Sequence, residues 1–212
     1  MNIEKILKTL SEKRPVFHSE ADFQHALAWE IHLHYPNAKI RLEYPVGNET
    51  IHIDIYVTLG KKVYAIELKY KTKTTEPVIE YENEGFPLKN QGAQDLGRYD
   101  FVKDINRLEI LKREILNGNN NNFDGYSIFL TNDHLYWGKP TTNRNTIDKQ
   151  FRIHCGNELT GTRSWIGNPA EGTIKNKENP IILTGTYKLE WQLYHDFENV
   201  KNGKFKYLIV KI

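Results

Sequence analysis

Two runs of alternating side chains joined by a very short turn constrain this chain more than any other feature. Residues 51–59 and 63–70 place β-branched or aromatic side chains at alternate positions and meet through Gly60-Lys61. Glycine at the first position of a two-residue loop suits a type II′ hairpin. Such a turn sets Leu59 opposite Lys62, which brings Asp54 opposite Glu67 and His52 opposite Lys69. Side chains alternate along a strand, so Ile51, Ile53, Ile55 and Val57 are expected on one face and His52, Asp54 and Tyr56 on the other. In the second strand Tyr64, Ile66, Leu68 and Tyr70 share a face, and Val63, Ala65, Glu67 and Lys69 share its opposite.

Directly opposed carboxylates have Cβ atoms about 5 Å apart, and like charges there are destabilising. A divalent cation between them reverses the sign. Hard oxygen ligands suit Mg²⁺, which takes one or two protein carboxylates and keeps several waters. Lys69 shares their face, where it could orient an attacking water, lower its pKa, or stabilise charge on a phosphate. The plain alternative is a solvated hairpin face on which Glu67 pairs with Lys69. Against it, both faces of the second strand carry apolar residues, and a strand buried on both sides should hold no charge without a reason.

Upstream, residues 2–13 read as an amphipathic helix. A second helix follows over about 20–35, capped by Ser19 with Asp22 three residues on, and stopped by Pro36. At about 100° per residue, Phe23, Leu27 and Ile31 lie within about 60° of Glu20, so this carboxylate stands in the helix's apolar stripe. The alternative for Glu20 is an exposed carboxylate favoured by the helix dipole. Residues 38–44 form a further candidate strand. The polar stretch 71–90, broken by Pro77, Gly85 and Pro87, reads as a long exposed loop. A long helix is expected over about 91–116, a buried strand over 126–131 and a short strand over 135–137. Residues 139–180 show little periodicity and could be ordered or disordered; 181–183, 187–194 and 205–212 look like strands. The expected fold is α/β or α+β, a single domain over 1–212 with a mixed central sheet flanked by helices and a β-rich extension from 138 onward.

Read together, these residues resemble the PD-(D/E)XK nuclease superfamily, the restriction-endonuclease-like fold. Its pattern is an acid on a helix, an Asp at a strand end and (D/E)-X-K on the next strand. Here these are Glu20 after Phe17-His18-Ser19, Asp54 in Ile53-Asp54-Ile55, and Glu67-Leu68-Lys69. Ile53 stands where a proline often precedes the Asp. The resemblance covers about residues 17–137. It implies that Asp54, Glu67 and the Leu68 carbonyl ligate one or two Mg²⁺ ions, for which Mn²⁺ can substitute. It also implies that Glu20 binds a second ion or its water, that Lys69 positions the nucleophilic water, and that products carry 5′-phosphate and 3′-hydroxyl ends. The implied partner is nucleic acid, DNA first, with roles in restriction, phage defence or repair. An inactive nucleic-acid-binding or assembly module with this fold, or a related enzyme acting on RNA, is the alternative.

Gln94 and Arg98 continue the apolar stripe of the long helix at its start, beside Gln91 and Tyr99. Several branches of the superfamily place a Gln, with a nearby Tyr or Arg, at such a position; ordinary helix-end solvation explains the pattern equally well. His52 and Tyr56 flank Asp54 and could touch substrate or merely finish the sheet surface. Lys71, Lys73 and Lys89 with Tyr81 and Phe86 could track a nucleic-acid backbone, but Glu76, Glu80, Glu82 and Glu84 favour a solvated loop. Arg163 and Trp165 are suggestive in the same way. No His or Cys spacing fits a zinc site. The net charge of +2 permits a nucleic-acid partner without pointing to one. The single cysteine, Cys155, excludes an internal disulfide and suggests a reducing, cytoplasmic setting, and no membrane span is expected. A two-fold dimer would suit double-strand cutting.

Overall fold

The computed structural model describes residues 1–46, 51–117, 122–141 and 145–212. Helix α1 (Ile3–Lys13) is capped by Asn2, whose side chain accepts from the Lys5 N–H. Helix α2 (Glu20–His34) is capped by Ser19, which accepts from the Asp22 N–H; the Asp22 carboxylate in turn accepts from His18 N–H, one residue earlier than a capping box requires. Both helices lay Leu, Ile and Phe side chains against one face of a six-stranded mixed sheet. Its strands are β1 (Lys39–Val46), β2 (Ile51–Leu59), β3 (Lys62–Lys71), β6 (Asn122–Thr131), β10 (Lys204–Lys211) and β9 (Trp191–Asp196), in that spatial order. Only the central β3–β6 pair is parallel. Parallel neighbours need a crossover, and helix α3 (Gln94–Asn117) provides it on the second face. The protein is therefore a mixed α+β fold.

The core divides at the sheet. On one side Ile6, Leu7, Phe23, Leu27 and Ile31 pack on Ile66, Leu68, Ile128 and Leu130. On the other, Phe101, Val102, Ile105 and Leu108 of α3 pack on Ala65, Phe129, Leu208 and Val210. A second hairpin, β7 (Glu158–Arg163) with β8 (Ile181–Lys188), joins this side through Leu159, Ile181 and Leu183. Buried Glu109 of α3 fixes β8 by accepting from the Thr184 and Gly185 N–H groups and the Tyr187 hydroxyl. Residues 145–180 are thus ordered, with a 3₁₀ turn at Lys149–Phe151 and a short helix α5 (Glu171–Ile174); residues 142–144 of the stretch lie outside the described part. No described helix is long and apolar enough to cross a membrane.

Three expectations need correction. The segment 71–90 is not an exposed loop: β4 (Ile79–Tyr81) and β5 (Glu84–Phe86) form a hairpin, with Ile79, Phe86 and Leu88 buried. Its turn, Glu82-Asn83, has both residues at positive φ, the type I′ geometry. Three apolar anchors, spread among charges, outweigh the polar composition. The expected strand at 135–137 is a helical turn, α4 (His134–Trp137), because the Asp133 side chain caps it by accepting from Leu135 N–H. Finally, Ile53 does not share a face with Ile55 and Val57. It packs with Ala65 and Tyr99 on the α3 side, whereas Ile55 and Val57 pack on the α1–α2 side. The alternation breaks at Asp54, which is where the site begins.

Candidate active site

The β2–β3 hairpin has the register read from its turn, from Leu59↔Lys62 back to Ile55↔Ile66, with Gly60 at positive φ. There the ladder stops, one step short of the expected pairing of Asp54 with Glu67. Buried backbone groups must still find partners, and side chains take over. Asp54 Oδ2 accepts from Leu68 N–H at 2.6 Å, and Gln24, one turn beyond Glu20, donates to the Asp54 carbonyl at 2.7 Å. Gln24 also donates to Glu43, which sits at positive φ where β1 loses its own pairing to β2. The strands part at this point, and the carboxylate of Asp54 is built into the gap.

Glu67 is almost fully buried, at 1% exposure, on the α3 face of β3. Lys69 follows two residues later on the same face. Glu20 reaches β3 from the first turn of α2, accepting from Tyr70 N–H at 2.7 Å. Asp54 and Lys69 both feel the charge of Glu20 and of each other, and Glu67 feels Asp54. Asp54 on Leu68 N–H and Glu20 on Tyr70 N–H bring both acids to the stretch of β3 that carries Glu67 and Lys69, so the four residues singled out in the sequence converge. Lys69 Nζ donates to the Leu68 carbonyl at 3.0 Å, next to where that oxygen was expected to serve as a ligand.

Helix α3 adds two residues that sequence reasoning missed. Asp104, 3% exposed, pairs with Lys69 Nζ at 2.6 Å, and Arg107 pairs with Glu67 at 2.7 Å. A signal was present: both charges flank the apolar stripe of Phe101, Ile105 and Leu108. Ser127, opposite Glu67 in the parallel register, is also buried here, and its hydroxyl has no partner among the described residues.

The charges do not balance. With every carboxyl ionised, Glu20, Asp54, Glu67 and Asp104 face Lys69 and Arg107 with two negative charges in excess, and the site relieves this by holding protons. Burial pushes Asp54 up to about 6, against the lowering effects of the Leu68 N–H and Lys69. Burial, with Asp104 and Asp54 nearby, pushes Glu67 well above the usual carboxylate range, although Arg107 opposes this. Burial would lower Lys69, but Asp104, Glu20 and Asp54 together raise it, so it stays an ammonium ion. Asp54 Oδ1 and Glu67 Oε2 accept no hydrogen bond from the described residues. An all-oxygen donor set with uncompensated negative charge fits a hard divalent cation. Among the described residues, however, no three His, Cys, Asp or Glu side chains stand in ready ligating geometry; Arg107 occupies one oxygen of Glu67, and backbone N–H groups occupy one each of Asp54 and Glu20.

A pH dependence follows. The folded-state value of Asp54 lies above its unfolded value of 3.8, so the folded protein holds the extra proton and loses stability as pH rises from about 4 through about 6. In EDTA, Asp54→Asn is expected to gain about 2 kcal/mol relative to the parent between pH 4 and pH 7, measured by urea unfolding.

The outlying candidates do not join the site. Gln94 donates to Asp133 at 2.8 Å, and Arg98 is held by Asp148 and the Leu135 carbonyl. Tyr99 stacks on Trp165, whose indole N–H donates to the Lys177 carbonyl, so both are packing residues. Tyr56 stacks on Tyr44 at 4.2 Å, and His52 is exposed at the β1 pairing with Pro45. Phe86 stacks on His18, Lys73 pairs with Asp133 at 3.5 Å, and Arg163 donates to the Glu158 carbonyl. No family model, curated protein or solved structure matches this chain.

Proposed function

We propose that the protein is a Mg²⁺-dependent nuclease of the PD-(D/E)XK type that hydrolyses phosphodiester bonds of DNA. The observation that carries this reading is the convergence of Glu20, Asp54, Glu67 and Lys69 where β2 and β3 part, with two negative charges uncompensated. Asp54, Glu67 and the Leu68 carbonyl would hold the ion, with Glu20 at its outer side. Once bound there, Mg²⁺ supplies Lewis acidity toward the phosphate and a lowered pKa for the attacking water. Lys69, kept protonated and aimed by Asp104, serves as a donor that orients the water or steadies charge on the phosphate, rather than as a proton acceptor. Arg107 lies against Glu67 and is placed to pass from that carboxylate to a phosphate oxygen when the ion takes its place.

A second reading, an inactive nucleic-acid-binding module, draws on the same contact: Arg107 already pairs with Glu67 without any metal ion. Incubation with plasmid, single-stranded DNA and RNA in Mg²⁺ or Mn²⁺ separates the two. Metal-dependent cleavage of DNA with 5′-phosphate ends supports the nuclease, and cleavage confined to RNA shifts the substrate class. DNA retention without any cleavage in either ion supports the inactive module.

A further inference from the structure

A second feature lies on the far side of α3 from Arg107. A cavity of about 290 Å³ opens between the start of α3, α4 and the segment around residue 152. Arg98, Lys139 and Arg152 line it together with His134 and His154, and among the described residues no carboxylate does. The nearest acids are already engaged: Asp148 by Arg98 and the Thr146 hydroxyl, and Asp133 by Gln94 and the Leu135 N–H. Arg152 Nε, His154 Nδ1 and the hydroxyl of fully buried Tyr136 are enclosed without hydrogen-bond partners among the described residues. Buried polar groups left unpaired are costly and call for an explanation. Burial and the three cations together hold His154 below the usual histidine range, a sign of the positive potential inside.

The geometry points to a binding site for a phosphate monoester of about mononucleotide size. The Arg152 guanidinium, with its Nε unpaired and its Nη2 on the Thr146 hydroxyl, and the Lys139 ammonium line the cavity without a carboxylate partner among the described residues. Beside them stands Arg98, whose fork is taken by Asp148 and the Leu135 carbonyl. A guanidinium and an ammonium group together suit phosphate oxygens. A bare phosphate would occupy only part of the volume. The remaining wall, formed by Leu135, Pro140 and Ile153 with the imidazole rings, is apolar or flat and suits a sugar or base. This assignment is independent of the nuclease reading.

Calorimetric titration in EDTA tests it without involving a metal. Inorganic phosphate and dAMP are expected to bind, dAMP with a Kd below about 1 mM, and deoxyadenosine is expected not to bind. Lys139→Gln, at an exposed position that tolerates the change, and Arg152→Gln should each weaken dAMP about tenfold or more, with circular dichroism unaltered. A 5′-phosphorylated oligonucleotide binding tenfold better than its 5′-hydroxyl form identifies the ligand as a nucleic-acid end, binding of dAMP with neither oligonucleotide identifies a free nucleotide, and equal binding of both oligonucleotides overturns the monoester assignment. The proposal is overturned if neither phosphate nor dAMP binds, or if both folded variants bind dAMP as the parent does. It is also overturned if an oligonucleotide binds while dAMP does not.

Discussion

Asp54→Ala and Lys69→Ala are each expected to lower metal-dependent DNA cleavage by about 10² to 10⁴-fold while leaving the fold intact. The two losses have different origins. Asp54 is the carboxylate set into the gap between β2 and β3, and without it the excess negative charge that draws the cation is halved. The same substitution leaves the Leu68 N–H without its acceptor, a cost of about 1–3 kcal/mol that loss of a penalised buried charge partly offsets. Lys69→Ala instead removes the only ammonium donor described among these acids. Cleavage by Lys69→Ala should therefore stay low at saturating Mg²⁺, whereas Asp54→Asn should recover partly as Mg²⁺ or Mn²⁺ is raised. Plasmid cleavage over a range of metal concentrations distinguishes them. Unchanged cleavage in either alanine variant means that the reaction, if present, occurs elsewhere on the protein.

The second large effect concerns Asp104. Removing one member of a buried ion pair leaves the other charge uncompensated, typically at about 3–5 kcal/mol. Asp104 is 3% exposed and its partner Lys69 is held at 2.6 Å. Asp104 also repels Glu67 and Asp54, so its loss brings some relief. The expected net cost of Asp104→Ala is about 2–3 kcal/mol, read from the urea midpoint at constant slope. A double-mutant cycle with Lys69→Met should return a coupling of about 1 kcal/mol or more, because the two side chains touch. Additive effects would mean that the pair contributes nothing to holding α3 on the sheet. Asp104→Ala should also lower cleavage, since it removes the side chain that orients Lys69.

How much of this could be read from the chain alone depended on the range of the interaction. The Gly60-Lys61 turn fixes the β2–β3 register because a two-residue loop leaves no freedom to slip. Ser19 marks the start of α2 because capping is a contact over three residues. With those two local facts, Glu20, Asp54, Glu67 and Lys69 were all identifiable. What escaped is set by docking. Asp104 and Arg107 meet Lys69 and Glu67 across 35 and 40 residues of chain, once α3 has settled at a particular angle on the sheet. Nothing in the local pattern specifies that angle. The change of face at Ile53 has a similar origin, since it follows from Gln24 and the Asp54 side chain replacing the backbone ladder. The β4–β5 hairpin was hidden for the opposite reason. Its sequence is polar almost throughout, and only Ile79, Phe86 and Leu88 anchor it. Gln94 and Arg98 carried a helical phase that fitted the site, yet Asp133 and Asp148, distant in sequence, hold them elsewhere.

Titrating the metal-free protein with Mn²⁺ by calorimetry, beside the Asp54→Asn/Glu67→Gln double variant, addresses the cation directly. The gap between β2 and β3 should take up one or two ions in the parent protein and none in the variant, with parental affinity strengthening as pH rises through about 6, where Asp54 gives up its proton, and further above it as Glu67 gives up its own. If the parent takes up no ion, or the variant binds as tightly, the two uncompensated charges are not a metal site.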